Sequence, residues 1–312
     1  MARPRVSILL LTYNGADTLL PVLDAISRQQ APFDVEIVAV DSGSTDGTLE
    51  MLDRRVTRLL QIPPEDFNHA ATRNLGIAAT TGALVVLLVQ DAVPAGDTWL
   101  VRLVEPMVAD ETLAGTFARQ RPRVDASALT RHYLARWPGA SETPRTSTLL
   151  GAAELEALAP MERYRRCVFD NVCSCIRRTV WEQHPFPPTD IAEDVEWARS
   201  VLLAGHRLAY VPDAVVVHSH DRSARYELGR TYLVHRRLRA LFGLRTVPSL
   251  LALARAIASS LALHLRLLMG ARVTSPSQIA RAVALAFAFP LGQYLGGVAA
   301  DTGWTLLRPR GI

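Results

Sequence analysis

The sequence of 312 residues predicts an α/β fold built on a mostly parallel sheet, followed by a helical C-terminal third. Short apolar, β-prone runs alternate with helical patterns through the first half, which is typical of a parallel sheet covered by helices. Polar residues follow three of these runs directly, at Thr12, Asp41 and Gln90. Because ligands bind beyond the carboxyl ends of strands in open parallel sheets, these positions predict a binding crevice.

Six segments of the first 110 residues carry this alternation. The predicted strands are 6–12, 35–40 and 83–89, and the predicted helices are 17–29, 45–54 and 98–109. The run 6–11 imitates the apolar core of a signal peptide, but it is short and leads into Thr12-Tyr13-Asn14 without a small-residue cleavage site. It is therefore predicted to be a buried strand.

The second half divides into a loop, the end of the α/β domain and a helical region. Residues 121–165 are rich in Arg, Pro, Ser and Thr, which predicts a loop beside the site. A strand over 172–176, a helix over 191–205 and strands over 207–210 and 215–218 are predicted to complete a domain of residues 1–220. The pattern is helical from residue 225, so residues 221–312 are predicted to form a separate basic amphipathic region.

Composition narrows the class of protein. Hydrophobic residues make up 49% of the chain, enough to fill a sizeable core, which argues against disorder. The net charge of +4 conceals an asymmetry, because residues 1–220 carry −6 and residues 221–312 carry +10. The three cysteines, Cys167, Cys173 and Cys175, are too few for a zinc site or a disulfide framework, so a cytoplasmic location is expected.

The segment 41–48, Asp-Ser-Gly-Ser-Thr-Asp-Gly-Thr, follows a predicted strand and opens a helix. Its backbone N–H groups and small side chains can bind an anionic or nucleotide ligand. Asp41 at the strand end is suited to accept a hydrogen bond from a pyrimidine N–H. A simpler alternative is a βα turn in which Ser44 or Thr45 caps the helix.

Another helix is predicted to open within the segment 67–76, with Arg73 in its first turns. A lone arginine there is usually a solvated helix residue. In combination with the preceding segment, however, its guanidinium suits bidentate recognition of a diphosphate.

Two strand ends are predicted to supply metal ligands. Asp91 follows the most apolar predicted strand, and a divalent ion on its carboxylate could neutralise a leaving nucleoside diphosphate. His218 and His220 follow the apolar run 215–217, and His218 is the preferred second ligand. The alternatives are a helix or turn cap for Asp91 and structural roles for both histidines.

The segment 191–197 places Glu193 and Asp194 at a helix start, where the macrodipole favours acidic residues. Simple N-terminal capping is one explanation. The other, which we favour, is that Asp194 is a general base that takes a proton from an acceptor hydroxyl as the hydroxyl attacks an anomeric carbon.

In this order the segments resemble the inverting family-two glycosyltransferases of the A-type fold. Residues 7–14 look like the family's first strand, 41–48 its nucleoside loop, 73–76 its phosphate segment and Glu193-Asp194 its catalytic pair. The resemblance covers roughly residues 5–220. It implies a Rossmann-like mixed sheet, here with a C-terminal helical extension.

One departure narrows the resemblance. Of the family's Asp-x-Asp motif only the last carboxylate is present, as Asp91, and Val89 stands in the first position. The segments 67–69, 73–74, 90–94 and 169–171 are similar to those of bacterial rhamnosyltransferases, which use dTDP-L-rhamnose. The resemblance implies Mg²⁺ or Mn²⁺ on Asp91 and His218, and acceptor contacts at Asn171 and Glu193. The donor contacts that it implies are Thr12, Tyr13, Asn14, Asp41, Ser44, His69, Arg73 and Gln90.

The leading hypothesis is therefore inverting transfer of L-rhamnose from dTDP-L-rhamnose to a hydroxyl of a cell-surface glycan or lipid-linked intermediate. Two alternatives stay open. One is a transferase that uses another sugar nucleotide, such as a UDP-hexose. The other is a catalytically silent, nucleotide-binding scaffold of a polysaccharide assembly complex.

The basic helical region predicts contact with an anionic membrane surface. Residues 282–300 are free of charge and long enough to cross a membrane, but they include Pro290 and several glycines. Arg255, His264 and Arg266 interrupt the preceding stretch as in an interfacial helix. Interfacial or homo-oligomer-forming helices are favoured over a membrane span or core packing, with the protein peripheral on the inner face of the cell membrane. Nucleic-acid binding is not expected, since stacking aromatics and a recognised binding fold are missing.

Overall fold

The computed structural model describes residues 5–303, so the ends of the predicted domain ranges, 1–4 and 304–312, lie outside the described residues. The chain forms two compact units. The first comprises the described residues up to Arg123, Arg136–Ala157 and Arg166–His218. The second comprises Val124–Ala135, Leu158–Arg165 and the described residues from Ser219 onward. The functional division at residue 220 stays a prediction.

The first unit contains a mixed sheet whose described part has nine strands. In chain order the strands are β1 (Arg5–Thr12), β2 (Asp34–Asp41), β3 (Arg58–Gln61), β4 (Leu84–Val89), β5 (Val93–Pro94), β6 (Leu113–Arg121), β7 (Arg145–Ser147), β8 (Cys173–Arg177) and β9 (Arg207–Val217). Their order in space is β3-β2-β1-β4-β8-β6-β9-β5, and β7 pairs with β9. Strands β1 to β4 are parallel and β8 runs antiparallel to both neighbours. The predicted mixed α/β sheet is confirmed.

The apolar strands β1 and β4 lie at the centre of the sheet because both of its faces are covered. Continuous apolar runs are typical of such strands, and residues along both are fully buried, among them Ile8, Leu10 and Val86. The register pairs Thr12 with Asp41 and Leu11 with Val89. The carboxyl ends of β1, β2 and β4 therefore meet at one edge, where the predicted crevice lies.

The described residues form twelve α-helices, which in chain order are α1 (Ala16–Ser27), α2 (Thr48–Asp53), α3 (His69–Ala79), α4 (Trp99–Ala109), α5 (Ala128–Leu134), α6 (Ala152–Ala157), α7 (Pro160–Arg166), α8 (Arg178–Gln183), α9 (Glu193–Leu203), α10 (Ala224–Phe242), α11 (Leu250–Gly270) and α12 (Pro276–Thr302). The three helices that begin within residues 121–165, α5 to α7, have only six or seven residues each. Helices this short give little periodic signal, which is why residues 121–165 were predicted to form a loop.

Two predicted boundaries are wrong for identifiable reasons. Helix α2 begins at Thr48 and not near residue 45, because Gly47 immediately before it has the left-handed φ of 92°. Neither Ser44 nor Thr45 caps it. The two strands predicted over 207–210 and 215–218 are one strand, β9, whose register against β6 shifts between Ala118 and Arg119. This irregularity accommodates Pro212, which cannot donate to a sheet.

In the second unit α12 packs closely against α10. A Cβ on Gly292 would lie 2.9 Å from the backbone oxygen of Leu228, and one on Gly296 would lie 2.9 Å from the backbone nitrogen of Arg236. Small residues of the charge-free stretch thus serve packing within the unit. Helices α11 and α12 are long and apolar enough to span a membrane by length and composition, with a mean hydropathy of 1.5 each. Half of the most apolar stretch of α12 is buried, whereas that of α11 is almost entirely accessible.

Candidate functional site

Asp41 ends β2 with a carboxylate that is completely buried and fully hydrogen-bonded. Its Oδ1 accepts from the backbone N–H groups of Gly43 and Ser44, at 3.0 and 2.8 Å. Its Oδ2 accepts from the hydroxyls of Thr12 and Ser44, at 2.8 and 2.6 Å. A carboxylate offers about four lone-pair sites, so a pyrimidine N–H can reach Asp41 only by exchange with one of these bonds. What the carboxylate does in this structure is order the loop that follows it.

The β1–α1 loop is tied to the β2–α2 loop by reciprocal hydrogen bonds. The backbone N–H of Asn14 donates to Ser44 Oγ at 2.8 Å, and Asn14 Oδ1 accepts from the backbone N–H of Thr45 at 2.9 Å. The backbone N–H of Gly15 donates to Thr48 Oγ1 at 2.8 Å. Asn14 adopts a positive φ of 45°, a conformation that asparagine tolerates better than most residues. Both loops are therefore set before any ligand binds.

Gln90, which follows the last residue of β4, bonds the neighbouring β1–α1 loop through its side chain. Its amide accepts from the backbone N–H of Tyr13 at 2.9 Å and donates to the Tyr13 carbonyl at 3.0 Å. Both functions of the amide therefore bond the loop backbone, and the sugar contact that the resemblance implies for Gln90 stays a prediction. The Tyr13 ring, in contrast, belongs to a residue that is 51% exposed.

Arg73 on α3 and Glu193 at the start of α9 form a buried ion pair. Both side chains are 8% exposed, and Arg73 Nη1 donates to Glu193 Oε1. The ion pair thus joins Arg73, which was predicted to bind the diphosphate, to Glu193, which was predicted to contact the acceptor. Because a guanidinium has several N–H donors, a substrate that binds Arg73 can share it with Glu193 or displace Glu193 from it. The neighbouring His69 packs against Phe67, and burial together with the Arg73 charge lowers the pKa of His69, which favours the neutral imidazole.

The two predicted metal ligands lie together. Asp91 Oδ1 and His218 Nε2 are 3.5 Å apart, and their side chains are 14% and 13% exposed. Arg123 also contacts Asp91. Its Nη2 donates to the Asp91 carbonyl at 3.0 Å and lies 3.8 Å from the Asp91 carboxylate. Metal–ligand distances for Mg²⁺ and for imidazole nitrogen on zinc are about 2.0–2.1 Å, so two ligands 3.5 Å apart can share one ion.

A chain of hydrogen bonds runs inward from His218. His218 Nδ1 lies 2.9 Å from Gln120 Oε1, and Gln120 Nε2 donates to Asp170 Oδ2 at 2.5 Å. Trp137 Nε1 donates to the same Asp170 oxygen at 3.1 Å. Sequence reasoning missed Gln120, Asp170 and Arg123. Gln120 lies near the end of β6, but Arg119 precedes it and Thr116 interrupts the strand, so no apolar run marked this position and no strand was predicted there.

Asp194 lies in the first turn of α9 with few donors around it. Burial, followed by the charges of Glu193 and Asp170, raises the pKa of Asp194 to about 8. Its Oδ1 accepts from the backbone N–H of Val195 at 2.8 Å. Ala192, immediately before the helix, has a left-handed φ of 59°, unusual for a residue with a Cβ. Strained backbone of this kind clusters at functional sites.

Asn171 is 2% exposed, and its Oδ1 accepts from Ser174 Oγ at 2.9 Å. Its Nδ2 has no acceptor among the described residues, and it lines a small cavity that Arg73 and Val89 also line. Its backbone N–H points to Asp194 Oδ2 at 3.5 Å. Asn171 thus adjoins the predicted base, whereas contact of its side chain with an acceptor requires local opening.

Comparison with known proteins agrees with these motifs. Residues 7–171 match the model of glycosyl transferase family 2. The O-antigen chain rhamnosyltransferase RfbN of Salmonella typhimurium is 33% identical over 73% of this chain and 70% of its own length. The O-antigen chain rhamnosyltransferase WbaN of Salmonella anatum is 28% identical over the same shares.

Solved structures show the same fold. The mannosyltransferase PcManGT from Pyrobaculum calidifontis, in complex with GDP-Man and Mn²⁺, superposes with a TM-score of 0.64 at 20% identity, over 97% of this chain and 88% of that one. Residues 1–349 of S. aureus TarS in complex with UDP superpose with a TM-score of 0.54 at 16% identity, over 97% and 93%. The predicted A-type fold and the resemblance to bacterial rhamnosyltransferases are confirmed. The extent of the sequence match settles the classification: this chain belongs to glycosyl transferase family 2 and is a glycosyltransferase.

Proposed function

We propose that the protein transfers L-rhamnose from dTDP-L-rhamnose, with inversion, to a hydroxyl of a cell-surface glycan or lipid-linked intermediate. The Salmonella relatives named O-antigen chain rhamnosyltransferases support this choice of sugar and pathway. The observation that supports the chemistry is the pKa of Asp194, which is raised to about 8 in a segment that resembles the family's catalytic pair.

In this proposal the ionised Asp194 accepts the proton of the acceptor hydroxyl. Desolvation makes its carboxylate a stronger base than a solvated one, and an effective general base has a pKa near the operating pH. The oxygen of the hydroxyl attacks the anomeric carbon as the bond to the nucleoside diphosphate breaks on the opposite face. A single base therefore suffices for direct displacement with inversion.

The donor nucleotide is proposed to bind over the two interlocked loops. The exposed Tyr13 ring offers an apolar face to the base, and Thr12, Asn14, Ser44 and Asp41 fix the loop backbone. His69, neutral because its pKa is lowered, can donate to or accept from the sugar. The diphosphate would compete with Glu193 for the Arg73 guanidinium.

Asp91 and His218 are the proposed ligands of a divalent cation. One carboxylate oxygen and one imidazole nitrogen form a donor set that suits Mn²⁺ better than Mg²⁺, which prefers oxygen ligands alone. Such a cation would supply charge neutralisation to the departing diphosphate. Arg123 adds a fixed positive charge beside the same carboxylate.

A donor panel tests the choice of sugar. Turnover and thermal protection are compared for dTDP-L-rhamnose, UDP-glucose and GDP-mannose in the presence of Mn²⁺. We expect product and protection with the rhamnose donor. The Asp194→Asn variant should be protected equally while its turnover falls by about 10²–10⁴-fold. Turnover with UDP-glucose and none with dTDP-L-rhamnose would establish the UDP-hexose alternative.

We further propose that the second unit binds an anionic membrane surface through α11. Several large apolar side chains of this helix are exposed, including Leu250 at 68%, Leu251 at 61% and Met269 at 73%. The residues from 221 onward carry 13 arginines against three acidic residues, and Arg255 and Arg266 lie on α11 itself. Apolar side chains flanked by arginines are typical of helices that lie in the membrane interface.

Vesicle flotation tests this proposal. The protein should bind vesicles that contain phosphatidylglycerol more strongly than vesicles of phosphatidylcholine, and alkaline carbonate should release it. Met269→Ser should weaken binding, whereas Val108→Ser, which changes a residue 51% exposed on α4 of the first unit, should not. Retention after the carbonate wash would show a membrane span, and dimer formation without vesicle binding would show that α11 contacts a second copy.

A further inference from the structure

We infer that Gln120 is a positioning residue that fixes the tautomer of His218 and so presents its Nε2 lone pair to the metal. The inference deepens the proposed function and rests on its metal site. It starts from the hydrogen-bond directions around the Gln120 amide, and neither the sequence motifs nor the family resemblance assigned this residue.

The orientation of the amide follows from Asp170. An ionised carboxylate only accepts hydrogen bonds, and Asp170 Oδ2 already accepts from Trp137 Nε1 at 3.1 Å. The group of Gln120 that lies 2.5 Å from this oxygen must therefore be its NH₂. If the amide were turned over, two acceptor oxygens would face each other in a buried position, since Gln120 and Asp170 are each 7% exposed.

The tautomer of the imidazole follows from that orientation. With its NH₂ on Asp170, Gln120 presents Oε1 to His218 Nδ1 at 2.9 Å. An amide oxygen cannot donate, so Nδ1 must carry the proton. The neutral ring then has its lone pair on Nε2, the nitrogen 3.5 Å from Asp91 Oδ1. Partners behind a metal-binding histidine that accept its second N–H commonly set ligand orientation in this way.

The same chain ends beside the proposed base. Asp170 accepts from the backbone N–H of Val172 at 3.0 Å and is one of the charges that raise the pKa of Asp194. Gln120 thus connects the residue that would hold the cation to the acidic cluster around the base, through hydrogen bonds within one compact unit. Leucine at position 120 would keep the volume of the side chain while removing both hydrogen bonds.

The experiment compares the full-length protein with its Gln120→Leu and Gln29→Leu variants. Gln29, just after α1, is a matched control because its amide also makes several hydrogen bonds, to the backbone of residues 25, 96 and 100. Mn²⁺ affinity is measured by electron paramagnetic resonance titration in the absence of donor. Loss of a partner of this kind typically weakens metal affinity 10–100-fold, so we expect about that change for Gln120→Leu and none for Gln29→Leu.

A second readout needs no metal. The nitrogen chemical shifts of ¹⁵N-labelled histidine, assigned with a His218→Gln variant, should show the Nδ1–H tautomer at pH 8 and a shift towards Nε2–H in Gln120→Leu. Wild-type Mn²⁺ affinity and an unchanged tautomer in a folded Gln120→Leu protein would overturn the inference while leaving the proposed function intact. Nδ1–H in the wild type without any Mn²⁺ binding would retain the tautomer assignment and remove the metal from the proposed function.

Discussion

Asp41 and Asp194 are both carboxylates of the first unit, yet their surroundings differ in the number of donors. Asp41 accepts four hydrogen bonds, two of them from backbone N–H groups, and holds a loop in place. Asp194 has one short backbone donor, and burial, followed by the charges of Glu193 and Asp170, raises its pKa. A buried carboxylate that is satisfied stabilises structure, whereas a partly buried one with few donors is poised to take up a proton.

The largest effect should come from removing the poised carboxylate. Asp194→Asn keeps the shape of the side chain but cannot accept a proton, and general-base catalysis is typically worth about 10²–10⁴-fold in rate. Turnover should fall by about that factor with donor affinity unchanged, as measured by steady-state kinetics and calorimetry. The control is Glu196→Gln in the same first turn. Full activity in Asp194→Asn would show that the base lies elsewhere.

The next largest effect should come from breaking the Arg73–Glu193 ion pair beside Asp194. Glu193→Gln leaves Arg73 as a buried, uncompensated charge, and breaking a buried pair costs about 3–5 kcal/mol in the free energy of unfolding. Chemical denaturation should show this loss. Glu142→Gln provides the control, because it breaks the Arg119 pair through a carboxylate that is 87% exposed, a change worth about 1 kcal/mol or less.

Asp41→Asn should affect stability before it affects catalysis. The amide would place an NH₂ against donors that now face a carboxylate, and a hydrogen bond to a charged group is worth about 1.5–3 kcal/mol. We expect a loss of that size in the free energy of unfolding together with weaker donor binding. Asp34→Asn, at an exposed pair with Arg5, should change neither quantity. An unchanged midpoint of unfolding in Asp41→Asn would contradict the structural role of Asp41.

The pH dependence sharpens the same contrast. A base with a pKa of about 8 is active when ionised, so kcat/KM should rise with pH through an acidic limb near 8. The folded protein also retains this proton where the unfolded chain, with an ordinary pKa of 3.8, has lost it. Stability relative to Asp194→Asn should therefore fall as pH rises from about 4 to about 8.

The smallest expected effect is a displacement of that limb. Asp170→Asn removes one of the charges that raise the pKa of Asp194, so the acidic limb should move to lower pH. The position of the limb, and not the height of the plateau, is the quantity to compare, because Asp170 also holds Gln120. A limb that stays in place would remove Asp170 from the environment of the base.

Patterns local in sequence allowed much of the fold to be predicted. The strands β1, β2 and β4 and the helices α1, α3, α4 and α9 could be recognised, since each is long or strongly apolar and has polar residues at its end. The roles within the site could not be predicted as well. The resemblance implied a sugar contact for Gln90, but no local pattern showed that its amide bonds the Tyr13 backbone 77 residues away. Such pairings depend on which strands become neighbours, and a local pattern does not contain that information.

Ala192 carries a consequence for engineering. A left-handed φ of 59° costs an alanine roughly 1 kcal/mol relative to glycine, so a search for thermostable variants would select Ala192→Gly. Glycine would also free the backbone that aims the first turn of α9 and its proposed base. The protein should then gain heat resistance and lose turnover in the same substitution, so this position is where stability and activity are traded against each other.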